Sequence, residues 1–221
     1  MMVLPLLLST LQAPAVLDEA VLVVRRDSVE VAREQYQLVA SSRTGGWTLG
    51  ATCRFAGPDV HGTTLVPVLA VGADSLPRTL QFDVTGPGEP LRVLGQSGRD
   101  RITLRYLGHG TERARELPVR GTTVVLDDSV ASFYILAAWF ARSSSVRLTA
   151  VFARSARTAA ITVTDRGIEP TTVNRAPLSL RHVIVTGADG ATLAHVWLDA
   201  SGRLMKVENS GAHWTAERLA G

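Results

Sequence analysis

The chain is a succession of short segments rich in Val, Leu, Ile and Thr, five to ten residues long and punctuated by Gly, Pro, Asp and Ser. That texture reads as strand. Its period is two. Leu80, Phe82 and Val84 oppose Thr79, Gln81 and Asp83; Ile102, Leu104 and Tyr106 oppose Arg101, Thr103 and Arg105; Ile161 and Val163 oppose Thr162 and Thr164. One apolar face per strand means a sheet wetted on one side, which favours antiparallel pairing. Thr64 to Val71 is apolar at both phases, so it is expected to be covered on both faces. The stretches 187–190 and 199–202 read as hairpin turns. Two-residue turns there would put Val183, Val185, Val196, Leu198, Met205 and Val207 on one face; type I turns with a Gly bulge would break that grouping. The two-residue form is preferred because it builds a single apolar face.

One segment breaks the pattern. Across 127–141, Val130, Phe133, Tyr134, Leu136, Ala137 and Phe140 fall at helical spacing. Asp127 or Asp128 is suited to cap its start, and Ser143-Ser144-Ser145 ends it. The fold class expected is mainly β: a curved, incompletely closed antiparallel sheet (half-barrel) of about 11–12 strands, with one helix over its concave face. About seven strands precede the helix and about five follow. No repeat of 20 to 50 residues supports a solenoid or propeller.

The first residues read as an address. Met1 to Leu11 is apolar, too short to span a bilayer as a helix, and is followed by Ala13-Pro14-Ala15, a small-x-small cleavage pattern. Residues 1–15 are therefore expected to be a signal peptide and 16–221 a single β domain. No Lys or Arg lies in Met1–Leu11, against the usual basic start; an uncut chain would be cytoplasmic. With 46% hydrophobic residues the chain supports a real core. Its net charge of +3 is small and spread out. Arg25-Arg26, Arg113-Ala114-Arg115 and Arg154 to Arg157 lack aromatic platforms beside them, so they read as solvated faces rather than a nucleic-acid surface.

Motifs for chemistry are sparse. Cys53 is the single cysteine, which excludes an intramolecular disulfide and reads as a small buried hydrophobe. His61, His109, His182, His195 and His213 show no ligand spacing. His182 and His195 lie on two arms of one expected hairpin, within reach of each other but without an evident carboxylate. Gly95-Gln96-Ser97-Gly98 lacks the spacing of a nucleophile elbow and reads as a turn, and Gly108-His109-Gly110 lacks a third glycine. No cofactor, metal or catalytic residue is expected.

A chain with a long antiparallel run, one aromatic helix and closing hairpins resembles the bacterial periplasmic proteins of the lipoprotein-carrier fold, the lipoprotein-localisation factors among them. The stretch Ala194-His195-Val196-Trp197-Leu198-Asp199-Ala200-Ser201-Gly202 is similar to their strand and Asp-x-x-Gly turn. The resemblance implies a curved sheet with a lid helix over an apolar concave face that holds acyl chains. The expected function is an exported, non-catalytic envelope protein binding a lipid or acyl-modified segment. Phe133, Leu136 and Phe140 of the helix, with Leu80, Phe82, Leu104 and Tyr106 of the sheet, would line the site. The alternative is a structural or protein-interaction module with a filled core; a hydrolase with an unrecognised site ranks third. Partners expected are an apolar small molecule or lipid, or an envelope protein, with no nucleic acid and no transmembrane span.

Overall fold

A computed structural model describes residues 15–41, 45–56, 62–88, 90–108, 110–141 and 145–219. The segment 1–14, His61 and His109 lie outside them, as do Ser143 and Ser144, so the leader and the seryl helix stop belong to undescribed residues. Among the described residues fifteen strands form one open sheet: β1 (Val16–Arg26), β2 (Val29–Ala40), β3 (Trp47–Phe55), β4 (Thr64–Val71), β5 (Pro77–Thr85), β6 (Leu91–Ser97), β7 (Arg101–Gly108), β8 (Thr111–Pro118), β9 (Thr123–Leu126), β10 (Val146–Phe152), β11 (Arg157–Val173), β12 (Ala176–Gly187), β13 (Thr192–Leu198), β14 (Leu204–Asn209) and β15 (Trp214–Arg218). The spatial order is β8 to β1 in descending sequence, then β15 down to β9. The first and last strands therefore pair in the middle, with Val24 opposite Ala216. Every pairing is antiparallel except that of β9 with β10, between which the helix crosses. A parallel neighbour needs such a crossover, and the helix supplies it.

The half-barrel expected from the sequence is the architecture found, with nine strands before the helix and six after rather than seven and five. Of the strands before the helix, β8 carries exposed Glu and Arg along nearly its whole length and β9 is four residues all buried. The alternating faces 80/82/84, 102/104/106 and 161/163 do point into the core. In β4 only the inner face is covered: Leu65, Leu69 and Val71 are buried, whereas Val68 is 40% exposed. Gly95 to Ser97 is strand, not turn. A Cβ at Gly95 would lie 3.0 Å from Leu80 Cβ and 3.2 Å from a Leu104 methyl, so glycine lets the flanking strands' side chains meet.

Both closing hairpins use the bulged turn. Gly190 donates to Gly187 and Gly187 to Ala191; Gly202 donates to Asp199 and Asp199 to Arg203. Gly190 and Gly202 sit at φ +82° and +80°, the left-handed position this turn requires. The expected apolar face nevertheless survives, because a second irregularity in each hairpin, at Val185/Thr186 and Trp197/Leu198, restores the phase. Val183, Val196 and Val207 stand in one row. Met205 alone leaves it, and packs with Trp197 on the outer face.

The helix α1 spans Phe133–Phe140, shorter than 127–141, because turns occupy the residues just before it. Its first turn carries no acid. Asp127 instead accepts from Ser129 N and binds Arg154 at 2.6 and 2.7 Å. The acid at the helix start is Glu34 of β2, whose two carboxylate oxygens accept Ala131 N at 2.7 Å and Ser132 N at 2.9 Å. No local spacing reveals an acceptor 97 residues upstream. Phe133 to Ala138 are all buried, so α1 fills the concave side.

Candidate functional site: an aromatic mouth beside the helix

Of the seven residues expected to line a concavity, Leu80, Phe82, Leu104, Phe133 and Leu136 lie in one buried core, and Tyr106 and Phe140 are partly buried at its margin. Phe133 and Phe82 meet edge to face at 6.4 Å, and Leu80, Leu104 and Leu136 are buried with them. Tyr106 is part-buried, and its hydroxyl donates to Ala153 O at 2.6 Å, tying β7 to the end of β10. The concavity here is packed. The void between Leu80, Gly95, Ile102, Leu104, Val125 and Val151 measures about 10 Å³, at the threshold for one water.

Open space lies at the other end of α1. A hollow of about 450 Å³ is bounded by Trp47 of β3, Leu136, Trp139 and Phe140 of α1, and Asp74 and Ser75 of the β4–β5 turn. Two of the seven expected residues, Leu136 and Phe140, border it. Trp47 and Trp139 meet edge to face at 5.5 Å. Trp139 is fixed by its indole N–H, which donates to Gly202 O at 3.0 Å. Trp139 and Phe140 project past the last buried turn of α1, which is why both are only half-buried. The rim is polar but committed: Asp74 accepts from Leu76 N at 3.1 Å and from Arg78 at 2.6 Å. The arrangement offers an aromatic floor with a held ion pair at its lip, a geometry suited to apolar ligands. The sequence shows the four Trp residues, but only the β3–α1 juxtaposition makes two of them one surface.

The buried ionisable groups among the described residues have structural partners. Arg154 is not a solvated cation: besides Asp127 it lies over the Phe82 ring at 5.3 Å. Burial pushes the Glu34 carboxyl up from the ordinary carboxylate range. It pushes the neighbouring Cys53 thiol up as well, aided by the Glu34 charge. Asp18, 3% exposed, accepts from Tyr36 Oη at 2.6 Å and from Arg218 at 2.9 Å, holding β1, β2 and β15 together. His182 and His195 do meet, Nε2 to Nδ1 at 2.9 Å, and a carboxylate is present after all: Glu169 Oε2 lies 2.6 Å from His182 Nδ1. It comes from β11, outside the hairpin that carries the two rings. Among the described residues no three His, Cys, Asp or Glu side chains are grouped to hold a metal ion, and no helix is long and apolar enough to cross a membrane.

No family model matches the sequence, and among curated proteins there is no significant match. Solved structures do match in fold. A β-barrel-like protein of the domain of unknown function DUF1849 from Brucella abortus aligns with a TM-score of 0.58 at 13% identity, over 91% of this chain and 94% of that one. A DUF1089 family protein from Pseudomonas aeruginosa aligns with a TM-score of 0.44 at 14% identity, over 90% and 92%. The first likeness shows a shared β-barrel-like fold over nearly the whole chain.

Proposed function

We propose that the chain is an exported, non-catalytic binding protein of the cell envelope that takes an apolar ligand, a lipid tail or acyl-modified segment, at the mouth between Trp47 and Trp139. The observation that carries this reading is the contrast between the packed interior and the aromatic hollow of about 450 Å³, a volume within the usual range for small-ligand sites. The architecture is the one that the resemblance to lipoprotein carriers implies, with the ligand moved from the concavity to its mouth. The committed hydrogen bonds of Asp74 support a binding rather than a catalytic role.

Titration with an apolar fluorescent probe tests it. Saturable uptake by the full chain, weakened at least several-fold by Trp139→Ala, is expected. Absence of uptake would leave the second reading, an interaction module with a filled core, which the void of only about 10 Å³ between β5–β7 and β9–β10 favours. Intact mass of the protein from its native host tests export: a chain beginning at Val16 is expected, and one retaining Met1 would place it in the cytoplasm.

A further inference from the structure

The hairpin β11–β12 outruns its neighbours. β10 pairs with β11 only as far as Val163, and β13 pairs with β12 only from Arg181. Residues 169–180 pair with each other alone. This arm leaves the sheet at a bulge between Asp165 and Gly167, where Gly167 takes φ +83° and donates to Asp165 Oδ1. It folds back over the outer face. Val173 and Leu180 pack on Trp197, with Met205 beside them. Lys206 Nζ donates to Thr172 O at 3.3 Å and Asn174 to Arg218 O at 2.5 Å.

At the root of the arm the two histidines stack with Trp197. His182 lies parallel to the indole, 4.7 Å between centroids and 5° between planes, and His195 follows at 5.7 Å. Their facing nitrogens, 2.9 Å apart, have room for one hydrogen. With Glu169 accepting from His182 Nδ1, neutral His182 accepts from His195 Nδ1–H. A first added proton keeps that bond. A second puts two N–H groups face to face and breaks it.

We propose that the β11–β12 arm is a proton-sensitive strap, closed over Trp197 while the His182–His195 pair shares a hydrogen and released when both rings become cations. The charges around the pair set the balance. Glu169 and, 3.9 Å from it, Arg166 face it from β11. From β14 come Glu208, opposite His195 in register, and Lys206, which binds Glu208 at 2.7 Å and lies over the Trp197 ring. Beyond them Glu217 of β15 is held by Arg25 of β1. Two imidazolium rings would thus face a Lys206 whose carboxylate is already shared. Burial and the neighbouring His182 hold His195 below its ordinary value. Because the 2.9 Å gap between the facing nitrogens admits one hydrogen and the open arm sets no such limit, the closed strap binds fewer protons than the open one, and acid opens it.

Hydrogen exchange of the full chain at about pH 7.5 and pH 5.0, normalised to intrinsic rates, reads this out. Protection across 168–180 should fall on the order of tenfold in acid, while Leu22 to Val24 in the central strand keeps its protection. In His195→Gln the acid step should vanish. Equal protection of the arm at both pH values, or an unchanged step in His195→Gln, overturns the proposal. Should that variant not fold, ring NMR titration of the parent decides: the arm amides must shift with the midpoint of the pair's second proton, and a separate midpoint overturns it.

Discussion

Truncating Phe133 and Phe140 separates the packed end of α1 from its open end. Phe133 is fully buried and edge-on to Phe82, and the nearby void of about 10 Å³ leaves nothing to collapse into cheaply. Phe133→Ala should cost about 3–5 kcal/mol, the range for removing a buried phenyl ring. For a domain of this size each kcal/mol moves Tm by roughly 2–4 °C, so a fall of about 6–20 °C is expected. Phe140 borders the hollow and is half-buried, so Phe140→Ala should cost only about 1–2 kcal/mol, in proportion to its smaller apolar burial. Urea midpoints at unchanged m-value measure both, and probe uptake should change with Phe140→Ala. Equal costs at the two positions, or a loss below about 1.5 kcal/mol at Phe133, would refute the division of the helix into a core end and a ligand end.

Glu34→Ala strands two buried amides and should destabilise by about 2–4 kcal/mol, whereas Glu34→Gln keeps one acceptor and should cost less in chemical denaturation. Because burial raises the Glu34 carboxyl in the folded chain, its contribution is full below the ordinary carboxylate range and declines as pH rises through the folded value; a stability–pH curve unchanged in Glu34→Gln would contradict this. Cys53, 1% exposed with its thiol pushed up, should react with a thiol reagent near pH 8 only at the rate of unfolding, and labelling as fast as a free thiol would disprove its burial. Trp139→Phe should lose about 1 kcal/mol through the bond to Gly202 and also weaken probe uptake, read by thermal melting and by titration.

The inner faces were legible because period two needs only local chemistry: Leu80-Phe82 and Ile102-Leu104 declare their side of the sheet whatever lies across from them. β8 shows no apolar face, since Glu112, Arg113, Arg115 and Glu116 are all exposed, and such charges blunt a free edge. The helix declared its apolar residues but not its start. Asp127-Asp128 is the acceptor a local rule selects, and Arg154 takes Asp127 away. Glu34 looks from sequence like an outward polar residue of a strand, yet alternation with Ala32 and Tyr36 puts it on the core face. Of the mouth, Leu136 and Phe140 were legible from helical spacing; Trp47, Asp74 and Ser75 were not, because they meet α1 only once the sheet has curled.

An unclosed sheet has no edge pairing to fix its curvature, so something else must set it. Polar contacts between distant strands supply that constraint here. Tyr106 to Ala153 draws β7, next to one edge, toward the end of β10. Arg154 joins the β10–β11 turn to Asp127 and covers Phe82 on β5. Asn209 and Trp214 hold the helix region to β14 and β15, through Tyr134 Oη at 2.9 Å and Asp128 O at 2.8 Å. Most of these contacts gather around the start of α1, where Glu34 also binds. Its C-terminal end has the Trp139–Gly202 bond, and a neutral hydrogen bond contributes only about 1 kcal/mol. The helix is thus anchored firmly at Ser132 and lightly at Phe140. The lightly held end is where the helix's side chains can yield to a ligand at least cost, and the hollow of about 450 Å³ borders it.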